Sequence, residues 1–306
     1  MSTAPSSIPP PSFDVAPELP DGVERRLPPE YPLWKPWMAW AGLVAAFAGA
    51  LMGALVIGAI GAAAGSSFAN PSPAVSISAT IVQDLSFVGA ALLFASLAAR
   101  PLPEQFGLRP TRLWPAVGWM AAAFAAFYAF TLVWVSILGA NPDDTKLPDE
   151  LGVNDSTFAL LAVAFLVAVV APMAEEFFFR GFFFGALRNW KGPLPAAILT
   201  GLVFGAIHVG SAEAAFLLPL AFFGFTLCLL RERTGSLYPG IALHCANNSL
   251  AFGVSQHWGW QILALLACAL GIISLVMLAV RARWTPAPDA PSAEPSPAPC
   301  ASLRSL

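Results

Sequence analysis

Charge is scarce in this chain. Only 11% of its 306 residues are Asp, Glu, Lys or Arg, against about 25% in soluble domains, and 57% are hydrophobic. That balance excludes a soluble globular domain and points to a membrane protein. The net charge of −3 comes largely from acidic tails and loops, so nothing argues for nucleic acid as a partner. There are four cysteines, Cys228, Cys245, Cys268 and Cys300, with no CxxC spacing, and three of them lie in apolar segments. They read as small packing residues, which excludes a disulfide framework or a zinc ribbon. No apolar core follows a basic start within the first 30 residues, so no secretory leader is expected. Cys300 is too far from the end for a prenylation box. HExxH is absent, and no internal repeat is evident.

Long apolar runs are what the chain has instead. Eight can be traced, at about 37–64, 74–98, 114–139, 157–187, 194–211, 213–230, 237–255 and 259–280. A spanning helix needs about 20 apolar residues. The expected fold class is therefore all-α, a polytopic membrane helical bundle of about eight transmembrane helices. Residues 1–35 and 284–306 are rich in Pro, Ser and Ala and are expected to be disordered tails flanking a membrane domain at 36–283. Gly49, Gly53, Gly61 and Gly65 give small-xxx-small spacings in the first run, read here as general helix packing. With eight spans, every one of the 15 basic residues except Lys146 falls on one side, which the positive-inside rule makes cytoplasmic. Lys146 sits in an acidic loop with Asp143, Asp144, Asp149 and Glu150. Both termini are thus expected in the cytoplasm, and heavy Ala and Pro usage suggests a bacterial plasma membrane.

The stretch "APMAEEFFFRGFFFG", 171–185, breaks the pattern with Glu175, Glu176 and Arg180. Each charge costs about 2.5–3.5 kcal/mol at a bilayer centre, so each needs a reason. Glu176 and Arg180 stand at i and i+4 in the favourable order for an ion pair. Glu175 points about 100° away around the helix and has no local counter-charge. A desolvated glutamate of that kind suits a general base; the alternative is that both glutamates belong to one structural ion-pair network holding helices together. Two of the three histidines also lie in apolar runs, His208 in "GLVFGAIHVG" and His244 in "GIALHCANNSL". A lone membrane histidine is more often a helix–helix hydrogen bond; two of them beside an isolated glutamate form a constellation. His244 shares a helix face with Asn248. His257, between Trp258 and Trp260, reads as part of an interfacial aromatic belt.

Residues 175 and 208 lie symmetrically about the turn at Gly192, so an antiparallel hairpin would set them at one height. The fourth run would extend about 46 Å as a helix, against a hydrocarbon core of about 30 Å. Its excess is expected to project on the cytoplasmic side, leaving Glu175 about 10 Å and His244 about 11 Å deep, at a water-accessible cavity.

"EEFFFR", "FGAIH" and "HCANN" resemble the EExxxR, FxxxH and HxxxN motifs of the CAAX-protease and bacteriocin-processing family, and occur in that family's order. This group of intramembrane proteases includes the Ras-converting-enzyme type of CAAX endopeptidase. The likeness covers about 157–255, with "FGLRP" at 106–110 as a weaker feature. It implies an endopeptidase acting on a membrane-associated protein or peptide, with or without a lipid modification. By that resemblance Glu175 would activate water with His208, and His244 and Asn248 would form an oxyanion hole. Glu176, Arg180 and Phe204 would be supporting residues. The family is often labelled a metalloprotease, and Glu175, His208 and His244 are ligand types of catalytic zinc sites. With no HExxH, and with asparagine a poor zinc ligand, the metal-free mechanism is preferred and Zn2+ stays as the alternative. The other functional classes weighed are a catalytically silent interaction or immunity protein of the same fold, and a proton-coupled transporter. The transporter is disfavoured by the lack of repeats or paired broken helices.

Overall fold

The computed structural model describes residues 34–139 and 156–283, with Pro32 and Val153. The acidic loop with Lys146 and nearly all of both tails lie outside the described residues. Trp34 is nevertheless buried against Phe106 and Phe182, and Asn189 donates to the Pro32 carbonyl at 2.6 Å. Packed chain therefore reaches back into the stretch assigned to the N-terminal tail.

Among the described residues there are eight helices and no strand. They are α1 (Pro36–Ala63), α2 (Pro73–Ser96), α3 (Leu113–Leu138), α4 (Thr157–Lys191), α5 (Pro193–Ala206), α6 (Ala214–Thr234), α7 (Tyr238–Ser255) and α8 (Gln261–Arg283). A short 3₁₀ turn, Pro103–Phe106, lies between α2 and α3. The helices fall on the eight apolar runs, but six of them, α1–α4, α6 and α8, are long and apolar enough to cross a bilayer. The 14 residues of α5 extend only about 21 Å. α7 carries His244, Asn247, Asn248 and Ser249; it is enclosed by α3, α4, α6 and α8, so it has no need of an all-apolar surface. The protein is a multi-pass membrane protein.

α4 has 35 residues, about 52 Å of helix, longer still than the sequence suggests. It is the axis of the bundle, and α2 packs along it in parallel. Ile77 lies with Val163 and Ala164, and Phe87 meets Phe178 and Phe179 at 5.0 and 5.8 Å between ring centroids. Phe94 and Phe182 meet at Gly42 of α1. The loop "FGLRP" is tied down by the same helix: Phe106 stacks on Phe177 at 4.5 Å and touches Gly181.

α5 and α6 approach backbone to backbone. A Cβ on Gly201 would lie 2.6 Å from the Ala221 carbonyl oxygen, and one on Gly205 2.5 Å from that of Leu217. From the other side, a Cβ on Gly224 would lie 2.9 Å from that of Phe204. These glycines form a small-residue seam, as do Gly49, Gly53 and Gly61 where α1 meets Ser86, Val82 and Val75 of α2. The α5–α6 seam fixes Phe204 and, through it, the site. Gly205→Leu is expected to destabilise the protein by about 1–3 kcal/mol or more, because the obstacle is backbone. Thermal unfolding in detergent measures this; a midpoint unchanged from wild type would show that the seam is not tight.

Candidate active site

α4 is not a uniform α-helix. Two stretches, Leu166–Val170 and Phe177–Phe183, are wound as π-helix, with i→i+5 bonds such as Ala171 N–H to the Leu166 carbonyl. Such stretches occur often at functional sites. In the first, the next donor in the i→i+5 series would be residue 172, aimed at the Val167 carbonyl. Residue 172 is proline and has no N–H. Inside a membrane an unsatisfied carbonyl is costly, and Asn248 of α7 supplies the missing donor, Nδ2 to Val167 O at 3.0 Å. Asn247 donates to Asn248 Oδ1 at 3.3 Å, and the Tyr128 hydroxyl to Asn247 Oδ1 at 3.1 Å. Asn248 is thus held at both ends of its amide.

Between the π stretches lie the two glutamates. Glu176 is fully buried and accepts from Arg180 Nη1 at 2.8 Å, the i, i+4 pair expected from sequence. Arg180 is itself buried, donates to the Gly224 carbonyl at 3.2 Å and stacks over the Phe204 ring at 4.2 Å. Glu176 Oε1 also bonds His244 Nδ1 at 3.0 Å. A carboxylate can only accept, so the proton of this bond sits on Nδ1, and Nε2 is the ring atom left for chemistry. That Nε2 lies 3.8 Å from Glu175 Oε2. Gly240 makes room here, since a Cβ on it would lie 2.9 Å from Glu176 Oε2.

Glu175 is partly exposed, with a side-chain accessibility of 16%. Its Oε2 is buried without a hydrogen-bond partner. His208, just past the end of α5, donates from Nδ1 to the Phe204 carbonyl at 2.7 Å, which leaves its Nε2 as an acceptor. No hydrogen bond joins His208 to Glu175 among the described residues. Phe204 is the hub, with ring centroids 4.9 Å from His208 and 5.8 Å from His244, and Arg180 on its face. Glu175, Glu176, Arg180, His244 and Phe204 are therefore in one cluster; His208 borders it across Phe204, and Asn248 joins α7 to α4. Among the described residues no three His, Cys, Asp or Glu side chains are grouped to hold a metal ion. Glu175, His208 and His244 are thus not gathered into one three-ligand group among the described residues.

One further carboxyl emerges that the sequence reading passed over. Asp84 of α2 is 2% exposed, with Oδ2 buried and unpartnered. The α2–α4 register places it: Asp84 precedes Phe87 by three residues, as Glu175 precedes Phe178, the ring that Phe87 packs on. The two carboxyls are close enough to interact electrostatically. Its signal was available, since "TIVQDLSFV" sets an aspartate in an apolar run, and intramembrane ionisable residues are functional candidates by default.

An ionisable cluster buried in a multi-pass helical bundle defines the class. The family model for type II CAAX prenyl endopeptidase Rce1-like proteins matches residues 157–250, which hold all three motifs, α4–α6 and most of α7. The chain is 30% identical over 158 residues to an Escherichia coli protein described as "Uncharacterized 24.3 kDa protein", covering 49% of this chain and 67% of that one. It is 30% identical over 143 residues to YyaK of Bacillus subtilis, covering 43% of this chain and 46% of YyaK. It is 26% identical over 175 residues to the "Putative membrane peptidase YdiL" of Bacillus subtilis, covering 54% of this chain and 67% of YdiL. The match to YyaK thus spans about half that protein's length. No solved structure matches. The chain belongs to the Rce1-like CAAX-protease family.

A buried carboxyl with an unpartnered oxygen costs stability, so one that is kept is a candidate for function. Asp84→Leu is expected to raise the thermal midpoint in detergent while lowering any hydrolytic activity. A lower midpoint would instead make Asp84 a structural group.

Proposed function

We propose that the protein is an intramembrane endopeptidase that hydrolyses a peptide bond in a membrane-associated protein or peptide. The observation that carries this reading is the placement of His244: Glu176 holds Nδ1, and Nε2 faces the unpaired oxygen of Glu175. A purely structural ion pair would need Glu176 and Arg180 alone.

Water would sit between Glu175 and the Nε2 of His208. Glu175 takes one proton as the water oxygen bonds to the substrate carbonyl carbon, and the carbonyl becomes an oxyanion. His244 in its imidazolium form donates from Nε2 to that oxyanion, with its charge supported by Glu176 through Nδ1. Asn248 has two amide protons. One is used by Val167, and the other is left to the oxyanion. As the C–N bond breaks, Glu175 returns its proton to the leaving nitrogen, giving a carboxylic acid and an amine. Arg180 and Phe204 act through others: Arg180 balances Glu176, and Phe204 sets the spacing of the two imidazoles. The mechanism we propose uses no metal, with Zn2+ the competing possibility. The cytoplasmic side for the site and both termini is part of the same reading, from the basic residues.

Purified full-length protein in lipid, mixed with membrane peptides and analysed by mass spectrometry, tests both points. Wild type is expected to cut, with and without a strong chelator, and Glu175→Gln to lose at least a hundredfold in rate. A Glu175→Gln protein that cuts as well as wild type would sink the assignment. Loss on chelation, restored by zinc, would replace the metal-free mechanism.

Asn248 needs a finer test because it also satisfies a backbone carbonyl. Asn248→Ala is expected to cost about 1–3 kcal/mol of stability as well as activity. Pro172→Ala restores a backbone N–H, so in that background the stability cost of Asn248→Ala should shrink while the activity loss persists. If stability and activity recover together, Asn248 is a structural group alone.

A further inference from the structure

The basic residues gather at one end of the bundle, and three of them do more than set topology. Arg109, Arg112 and Arg233 wall a cavity of about 420 Å³, together with Thr111, Thr234 and Trp119, and no acidic residue lines it. The walls are built, not loose. Arg109 Nε donates to the Gly235 carbonyl at 2.6 Å, and the Thr111 hydroxyl to the Thr234 carbonyl at 3.1 Å. Ser236 Oγ donates to the Arg109 carbonyl at 2.6 Å, and Leu237 N–H to that of Gly107 at 2.7 Å. These bonds stitch the loop before α3 to the turn after α6. The guanidinium of Arg233 lies 5.0 Å from the Trp119 ring centroid. Neither Arg112 nor Arg233 forms an ion pair with a carboxylate among the described residues, and both are exposed.

Beside the recess, the start of α3 presents exposed apolar side chains. Leu113, Trp114 and Trp119 are 67%, 79% and 43% exposed at the start of α3, in the manner of residues anchored at a membrane interface. Positive-inside topology accounts for basic residues at this end of the bundle. It does not account for three guanidinium groups around one recess, free of acidic side chains, at the foot of an exposed apolar helix. We propose that this recess binds the phosphate-bearing headgroup of an anionic phospholipid, with its acyl chains lying along α3. Guanidinium groups suit phosphate, since their forked donors can meet two oxygens at once, and a basic pocket beside membrane helices is where such headgroups bind. The site is independent of the peptidase reading, because binding is read without turnover.

The test is a titration of the purified full-length protein in zwitterionic detergent with phosphatidylglycerol, followed by thermal midpoint and native mass spectrometry. Phosphatidylcholine and inorganic phosphate are the comparison arms. Phosphatidylglycerol is expected to bind and raise the midpoint where phosphatidylcholine does not. Arg112→Gln with Arg233→Gln should weaken that binding by about tenfold or more. Arg112→Gln alone, at an exposed position, should weaken it less while leaving helicity and the lipid-free midpoint unchanged. Equal response to the two lipids, or a double variant that binds phosphatidylglycerol as tightly as wild type, would overturn the proposal. Protection by inorganic phosphate equal to that by the lipid would also overturn it, in favour of a soluble anion.

Discussion

The buried pair of Glu176 and Arg180 is the constraint around which this bundle is organised. Two full charges with almost no exposure are tolerable only when they meet each other and when further hydrogen bonds satisfy what remains. The protein answers most of that demand from four helices, leaving only Glu176 Oε2 and Arg180 Nε of the pair without a hydrogen-bond partner. α4 supplies both ions, α6 the Gly224 carbonyl, α5 the Phe204 face and α7 the His244 ring. Each of these contacts also aims a residue of the site. The cost of burying a charge pair is high enough that the helices supplying its ligands have little freedom to shift. Breaking such a pair by removing one partner costs about 3–5 kcal/mol in known cases. Glu175, Glu176 and His244 are thereby positioned by helices and by electrostatics in the core, while His208 stands in the turn just past α5.

Close helix approach is the second requirement. Phe204 can touch Arg180, His208 and His244 at once only because Gly201, Gly205 and Gly224 let α5 lie against the backbone of α6. Four phenylalanines on α4, Phe178, Phe179, Phe182 and Phe183, are packed without exposure, and Phe179 meets Phe204 edge-on at 5.4 Å between ring centroids. One phenylalanine pairing, Phe87 with Phe178, carries the register of α2 down to the carboxyls. Side-chain volume on one face and its absence on the other thus fix where the charges stand.

Much of this was legible in the sequence. The helices, the over-long α4, the i, i+4 pair and the short list of intramembrane polar groups all follow from periodicity and hydropathy. Three things did not. The π stretches leave no local signature, because i→i+4 and i→i+5 winding use the same residues; only Pro172 and the partner of Val167 disclose them. The bond from Glu176 to His244 joins residues 68 apart, and nothing in either motif selects Glu176 over Glu175 as its acceptor. Asp84 lay in plain view, but the likeness to a known family begins at 157 and draws the eye away from α2. Physical reading of every buried charge, regardless of motif, is what recovers it.

Glu175 gains its meaning from this contrast with Glu176. The two are neighbours in sequence and chemically identical, and each keeps an Oε2 without a hydrogen-bond partner, but Glu176 takes two donors on Oε1 and is fully buried, whereas Glu175 is partly exposed. Stabilisation and reactivity oppose each other in a single carboxylate: each donor that stabilises the anion makes it a weaker base. A site that needs both a rigid frame and a competent base must divide the tasks between two groups. On the proposed reading the tandem "EE" does this with one step of helix rotation, turning the first carboxylate toward the partly exposed side and the second toward arginine and imidazole. The same division recurs in Asn248, where one amide proton serves the helix backbone and the other remains. Polar groups are few in this chain because membrane burial makes each one expensive. That scarcity explains why a single side chain is given both a structural partner and an open valence.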